Sequence, residues 1–321
     1  MNTSPEAHIP VLAQEIADCL ALKVGGCYVD CTAGLGGHAE MMARRIGPSG
    51  VVVLNDVDPA NLRAAEGRVR EAVPGMTVHS IQGNFVSVPR RVAELGLQAD
   101  AVLADLGFAS NQMDDGLRGF SFRQDGPLDM RLDPALPRTA ADLINELPEA
   151  ELAEIIFRFG EERVSRRIAA KVAAVRKERP IETTAELADL VTECVGSPRP
   201  GKSSPGNSKP IHPATRTFQA LRIAVNDELG ALDGLLEAVG RVANAPQGST
   251  TRQQGWLAEG ARVGIISFHS LEDRPVKRAF GGWAKRGRAK SLTAKPIVAQ
   301  ETEVGSNPRS RSAKFRAIAL V

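Results

Sequence analysis

Cysteine and histidine are scarce: four and five residues among 321 leave little material for disulfides or metal sites. Cys19, Cys27, Cys31 and Cys194 have no metal-ligand spacing and three of them sit in apolar segments, so buried, reduced thiols are expected. His8, His38, His79, His212 and His269 are scattered without an H-x-x-x-H pair, and no metal site is expected. Long hydrophobic runs are also missing. Nothing approaches the roughly 18 residues of a membrane span, and the start Met1-Asn2-Thr3-Ser4-Pro5-Glu6 has neither a basic nor an apolar leader region. The expectation is a cytoplasmic protein with no membrane partner. Charge of one sign is lacking overall, with 40 Lys and Arg against 38 Asp and Glu. The distribution is uneven, however: residues 277–316 hold eleven Lys or Arg against Glu301 and Glu303, a candidate polyanion-binding segment.

What is present, 43% hydrophobic and 24% charged residues, suits one large or two modest α/β units. The chain is organised around Tyr28-Val29-Asp30-Cys31-Thr32-Ala33-Gly34-Leu35-Gly36-Gly37-His38, an apolar run that stops at an acid and breaks into glycines. It reads as a strand, a tight loop and a helix start, where backbone N–H groups can approach a ligand at the positive end of the helix. Such a loop grips a nucleotide-like cofactor. Gly34-x-Gly36-x-x-Ala39 also satisfies the relaxed dinucleotide fingerprint, a weak signal alone. Two acids sharpen it. Asp30 would repel a pyrophosphate but suits a ligand carrying an ammonium and a sulfonium, and Asp56, after Val51-Val52-Val53-Leu54, is placed to accept from ribose hydroxyls. The pair favours S-adenosylmethionine over NAD; an NAD-dependent dehydrogenase is the alternative on the loop alone.

Strands expected at 27–31, 51–54, 76–81 and 101–104 alternate with helices, which implies a parallel sheet covered on both faces with ligands beyond its carboxyl ends. Asp30, Asp56, Phe85 and Asp105 fall at those ends. Residues 107–137 form a loop too long for a simple connection, with Phe108, Phe120 and Phe122 among Arg118, Arg123 and Arg131, a mixture suited to stacking on an unpaired base and gripping phosphates or to pinning the loop to a core. From Thr139 the pattern is helical, with capping boxes at Thr139-x-x-Asp142 and Thr183-x-x-Glu186. A Pro-, Ser- and Gly-rich linker at 196–213 is expected to end this bundle. Phe218, Leu221, Val225, Leu229, Leu232, Leu236 and Val239 then predict one long amphipathic helix packed on the sheet, and 244–255 predicts an exposed insertion. A fifth strand at 263–268 leads to His269 and a short helix at 271–280, and 313–321 alternates as a closing strand. The expected boundaries are 1–135 and 213–321 for the two parts of the α/β domain and 136–212 for the helical insert.

These residues resemble the RsmH/MraW methyltransferases, a bacterial family that modifies the exocyclic N4 amine of a decoding-centre cytidine in 16S ribosomal RNA. The likeness runs through His8-Ile-Pro-Val-Leu, Asp30 to His38, Asp56-Val-Asp-Pro59, Asp105-Leu-Gly-Phe-Ala-Ser-Asn-Gln112 and Arg118-Gly-Phe-Ser-Phe122. It continues at Gly126-Pro-Leu-Asp-Met-Arg131, Gly160-Glu-Glu-Arg163, His212-Pro-Ala-Thr-Arg-Thr-Phe-Gln-Ala-Leu-Arg222, Ser267-Phe-His-Ser-Leu-Glu-Asp-Arg274 and Asn307-Pro-Arg-Ser-Arg-Ser-Ala313. It implies a class I, Rossmann-like methyltransferase with an inserted all-helical subdomain for substrate recognition. S-adenosyl-L-methionine is the implied cofactor and 16S rRNA in the small ribosomal subunit the implied partner. The family's cofactor contacts fall on Gly36, Gly37, His38, Asp56, Phe85, Asp105 and Gln112. Ala39 and Phe108-Ala109 depart from the family pattern beside these positions, and 196–210 and 244–255 stand outside it.

For the chemistry, Asp105 is the first candidate to accept a hydrogen bond from the target amine and Ser110 the second. His269 could line the base pocket or take a proton. Arg118, Phe120 and Phe122 are candidates to hold the extruded base and its phosphates, and Glu272, Asp273 and Arg274 read as a structural ion-pair network. A non-catalytic RNA-binding assembly factor is the remaining alternative, and the chain could act as monomer or homodimer.

Overall fold

Strands buried on both faces need apolar side chains along their length, and Tyr28, Val29, Val52, Val53, Val102 and Leu103 supply them in the central strands. The computed structural model describes residues 10–196 and 212–321. Its strands are β1 (Cys27–Asp30), β2 (Val51–Asp56), β3 (Thr77–Gln82), β4 (Ala99–Asp105), β5 (Leu257–Ser267), β6 (Ala289–Ser291) and β7 (Lys314–Leu320). They form one seven-stranded sheet in the order β3-β2-β1-β4-β5-β7-β6. β1 to β5 pair parallel, and β7 enters antiparallel between β5 and β6. The order reverses between β1 and β4, a switch point at which ligands bind in sheets of this kind.

Alternation within the strands feeds two cores. Val29, Val53, Val102 and Ala104 face one side, where the helices Glu228–Asn244 and Ser270–Lys285 contribute Leu232, Leu235, Val239, Val276, Phe280 and Trp283. Tyr28, Val52, Leu54, Ala101 and Leu103 face the other, under Ile16, Leu20, Met42, Ile46, Leu62 and Val69 from the helices Ala13–Leu20, Gly37–Ile46 and Pro59–Ala72. The four cysteines are free, three of them buried.

The chain divides into a sheet unit, residues 1–107 and 229–321, and a helical unit, residues 108–228. The helical unit is an insert between the fourth and fifth strands, wider on both sides than the expected 136–212. On its N-terminal side the long loop is folded into it. The loop makes a helix at Ser110–Asp114 and a 3-10 turn at Gly116–Arg118, and buries Phe120, Leu128 and Met130 in the helical core. On its C-terminal side the long amphipathic stripe is two helices, Thr215–Asn226 and Glu228–Asn244. Asp227 between them takes the left-handed region at φ 46°, which aspartate tolerates better than most residues, and caps the end of the first helix. Phe218 and Leu221 therefore pack in the helical core and Leu232 to Val239 on the sheet. Both capping boxes form: Thr139 Oγ1 accepts from Asp142 N at 3.2 Å, and Thr183 Oγ1 from Glu186 N at 3.3 Å.

Three further differences concern the C-terminal third. The helix after His269 continues to Lys285, the segment expected to be an exposed insertion contains a short helix at Thr250–Gln253, and β6 is a strand that the three residues Ala289-Lys290-Ser291 do not signal. The basic segment is ordered as helix, strand and 3-10 turn. The linker and the residues around His8 lie outside the described residues. No helix among the described residues is long and apolar enough to cross a membrane.

Gly264 marks the closest approach in the sheet core. A Cβ there would meet the Phe315 ring at 2.6 Å and Leu20 at 3.3 Å. Gly264→Ala is expected to destabilise the fold by about 1–3 kcal/mol through overpacking, read from urea unfolding; an unchanged midpoint would show that Phe315 has room to move.

Candidate active site

The carboxyl ends of β2, β1 and β4, neighbours in the sheet, carry Asp56, Asp30 and Asp105. Parallel pairing puts them side by side: Asp30 pairs in register with Leu54 and Leu103, and Asp105 with Ile266. The glycine loop crosses these ends. Ala33 N donates to Asn55 O and Gly34 N to Asp56 Oδ2, both at 2.8 Å. Gly36 sits at φ 81°, and a Cβ on it would stand 2.7 Å from Ala65 Cα, so the loop lies directly on the helix Pro59–Ala72. Only glycine permits both the turn and that approach.

Each acid has a different setting. Asp30 is 1% exposed. Its oxygens accept from Tyr28 Oη and Thr32 N, both at 3.1 Å. Burial pushes its carboxyl up to about 7 against the pull of those two bonds. Asp30 thus holds the loop from beneath. Asp56 is half-buried and accepts from Gly34 N and Asp58 N, each at 2.8 Å. Each oxygen keeps a second lone pair for hydroxyl donors. Burial raises its carboxyl to about 6, those backbone bonds opposing.

Asp105 is the acid left open. Its side chain is 26% exposed, Oδ2 lies 3.8 Å from Nε2 of the buried His38, and Oδ1 is enclosed with no hydrogen-bond partner. Burial, then the charges of Asp30 and Glu272, pushes its carboxyl up to about 8. Its backbone is pinned by Thr32, whose Oγ1 accepts from Asp105 N at 2.7 Å. Phe85 follows β3 in a 3-10 turn capped by Asn84 and is half-buried against the sheet core. His269 caps the helix Ser270–Lys285; its Nε2 is 3.3 Å from Glu272 Oε1, while Glu272 Oε2 accepts from Phe268 N at 2.8 Å. Asp273 pairs with Arg316 at 2.7 and 3.1 Å.

Gly36, Gly37, His38, Asp56, Phe85, Asp105 and His269 therefore belong to the sheet unit, and Ser110, Gln112, Arg118, Phe120 and Phe122 to the helical unit. Ser110 opens the first helix of that unit, and its side chain is outside the described part of the structure. Gln112 is buried, and its Oε1 accepts from Ala109 N at 2.9 Å, a capping bond. Arg118, a candidate to grip phosphates, donates from Nη2 to the carbonyls of Arg131 and Leu132 at 3.1 and 3.0 Å, which ties down its own loop. Phe120 is 8% exposed and stacks on Phe108 with ring centres 5.4 Å apart, a core position. Phe122 is half-buried, stacked on His212 at 4.4 Å and edge-on to Phe218 at 5.0 Å.

Two contributors are not signalled by motif spacing: the Thr32 hydroxyl that joins the ends of β1 and β4, and Glu272, buried at 2% and felt by Asp105. A charged residue on the inward face of an otherwise apolar helix stripe was the available hint of the second.

The sequence pattern of the MraW methylase family matches residues 6–321. The chain belongs to that family. It is 45% identical to the ribosomal RNA small subunit methyltransferase H of Symbiobacterium thermophilum, across 97% of this chain and 96% of the relative. The proteins of the same name from Syntrophobacter fumaroxidans and Geobacter sulfurreducens are 42% and 43% identical, over 97% of this chain and 95% and 98% of theirs. Methylases of this kind use S-adenosyl-L-methionine. The sheet unit fits that cofactor on its own chemistry: Asp56 has lone pairs for ribose hydroxyls, and the partly exposed carboxyl of Asp105 suits a cation.

Carboxyls raised in the fold bind protons that the unfolded chain has already released, so their contribution to stability is full below about pH 4 and is lost as pH rises through about 6 to 8. Asp105→Asn removes the largest of these titrations. Without cofactor, the variant is expected to gain stability relative to the parent as pH rises from 5 to 9, measured by urea unfolding. A constant difference across that range would contradict the assignment.

Proposed function

We propose that the chain methylates small-subunit ribosomal RNA with S-adenosylmethionine, and that the acceptor is the exocyclic N4 amine of the decoding-centre, P-site cytidine of 16S rRNA. The observation that carries this reading is the family match over 6–321, with relatives named as small-subunit rRNA methyltransferases along almost their whole length. The acid cluster supports it.

The cofactor supplies an electrophilic methyl carbon bonded to a sulfonium. The difficulty lies with the amine, whose lone pair is delocalised into the pyrimidine ring, so the protein must orient it and stabilise the charge that develops on nitrogen. Asp105 is placed for that role in the reading: a carboxylate accepting an amine hydrogen returns electron density to nitrogen. S-adenosylmethionine, held by Gly36, Gly37 and Asp56, would supply the methyl group and keep the sulfur electron pair, and the proton released from the strongly acidic product amine would pass to water. A positive charge nearby would shift Asp105 from the protonated form favoured at pH below about 8 to the accepting carboxylate. His38 stands against Asp105, and His269, its ring set beside Glu272, lines the base pocket. Gly36 and Gly37 bring the loop backbone to the cofactor, with Asp56 on the ribose and Phe85 near the adenine. In the helical unit, proposed to recognise the RNA, Phe122 retains surface for an unstacked base, and Phe120, Arg118 and Gln112 hold the segment in shape. The protein is proposed to work in the cytoplasm as a monomer or homodimer.

The test is methyl transfer from labelled cofactor to small subunits purified from cells lacking the modification, with the product nucleotide mapped. One N4-methylated cytidine is expected. Asp105→Ala should lower the rate by about 100-fold or more with RNA binding retained. Methylation elsewhere, or none by the parent protein, would overturn the reading.

A further inference from the structure

The helix Ser270–Lys285 has two opposed faces. Val276, Phe280 and Trp283 are buried in the sheet core, while Lys277, Arg278 and Lys285 are exposed. Positions 277, 278, 281 and 285 share one stripe of a 3.6-residue helix, about 12 Å long at 1.5 Å per residue. Arg286, Arg288 and Lys290 continue the exposed charge into β6. Asp273, one turn before Lys277, feels its charge but is hydrogen-bonded to Arg316, and the buried Glu272 lies against His269 and Phe268 N. Among the described residues, none of these six cations is held in an ion pair.

In a chain whose charges nearly balance, 40 against 38, such a face is segregated rather than typical. The glycine at its centre is a second observation. A Cβ on Gly281 would meet nothing within 4 Å, so no packing requirement explains a residue that weakens a helix interior. Its effect is to bare the backbone between the flanking cations, where a partner can approach closely.

We propose that this stripe and the basic residues of β6 dock the phosphate backbone of the RNA flanking the modified nucleotide. The inference rests on the RNA substrate proposed above and adds the surface that grips it. Duplex RNA, like DNA, presents closely spaced negative charges, and a stripe of exposed cations not held in ion pairs meets them with release of counterions. The contact reads backbone and carries no base specificity, so its role is to hold the substrate while another surface selects the nucleotide.

The test uses the full chain and a triple variant, K277A/R278A/K285A, titrated against labelled small-subunit rRNA at several salt concentrations. All three side chains are exposed, so cofactor affinity and thermal midpoint should match the parent and certify folding. Affinity is expected to fall about 10-fold or more near 0.1 M salt, and the slope of log K against log salt to shrink by about 2 to 3. Unchanged affinity and slope would overturn the proposal. Weakened binding to assembled subunits with unchanged binding to naked rRNA would also overturn it, in favour of an acidic protein contact. If the parent methylates subunits and the variant does so with the same KM, the stripe fails alone; if the parent transfers no methyl, the proposed function is what fails.

Discussion

Three carboxyls crowded at the ends of three adjacent parallel strands are the constraint on which the site depends. Strand register brings Asp56, Asp30 and Asp105 together, and burial makes their joint ionisation costly. The glycine loop relieves part of that cost by turning backbone N–H groups onto Asp56 and Asp30. Asp105 receives no such help at Oδ1. The cluster is thus least balanced at Asp105, the position where the proposed function places the cofactor's cation.

Much of this could be read from the chain. Apolar runs that end in an acid locate the carboxyl ends of parallel strands, because such strands are buried on both faces and their first polar residue marks the exit. Asp30, Asp56 and Asp105 were visible for that reason. Their division of labour was not, since it depends on which oxygen meets which amide: Asp30 is sealed beneath the loop and Asp105 is open. Thr32 escaped notice because a hydroxyl bridging two strands has no sequence period. The break at Asp227 escaped because a left-handed residue leaves the apolar stripe intact on both sides. β6 is short and lies at the sheet edge, set by its pairing with β7 rather than by its own pattern.

The helical unit shows the same limit. Its aromatics and arginines, Arg118, Phe120 and Phe122, suit in sequence either a grip on RNA or pins that hold the loop to a core. In the fold, Phe120 and Arg118 are used to make the loop itself a structured part of the unit. A run of exposed cations not held in ion pairs, Lys277, Arg278 and Lys285, lies on the far-sequence helix Ser270–Lys285, whose charge was legible but whose one-sided presentation required the burial of Val276, Phe280 and Trp283 to define it.

The central claim is that the acid cluster is completed by a cation. It is tested most directly by counting the protons released when cofactor binds, from calorimetric titrations near pH 7 in buffers of different ionisation enthalpy. The account predicts net release with S-adenosylmethionine, as Asp105 gives up its proton beside the ligand, and less release with S-adenosylhomocysteine, which lacks the sulfonium charge. Binding enthalpies independent of buffer for both ligands would contradict it.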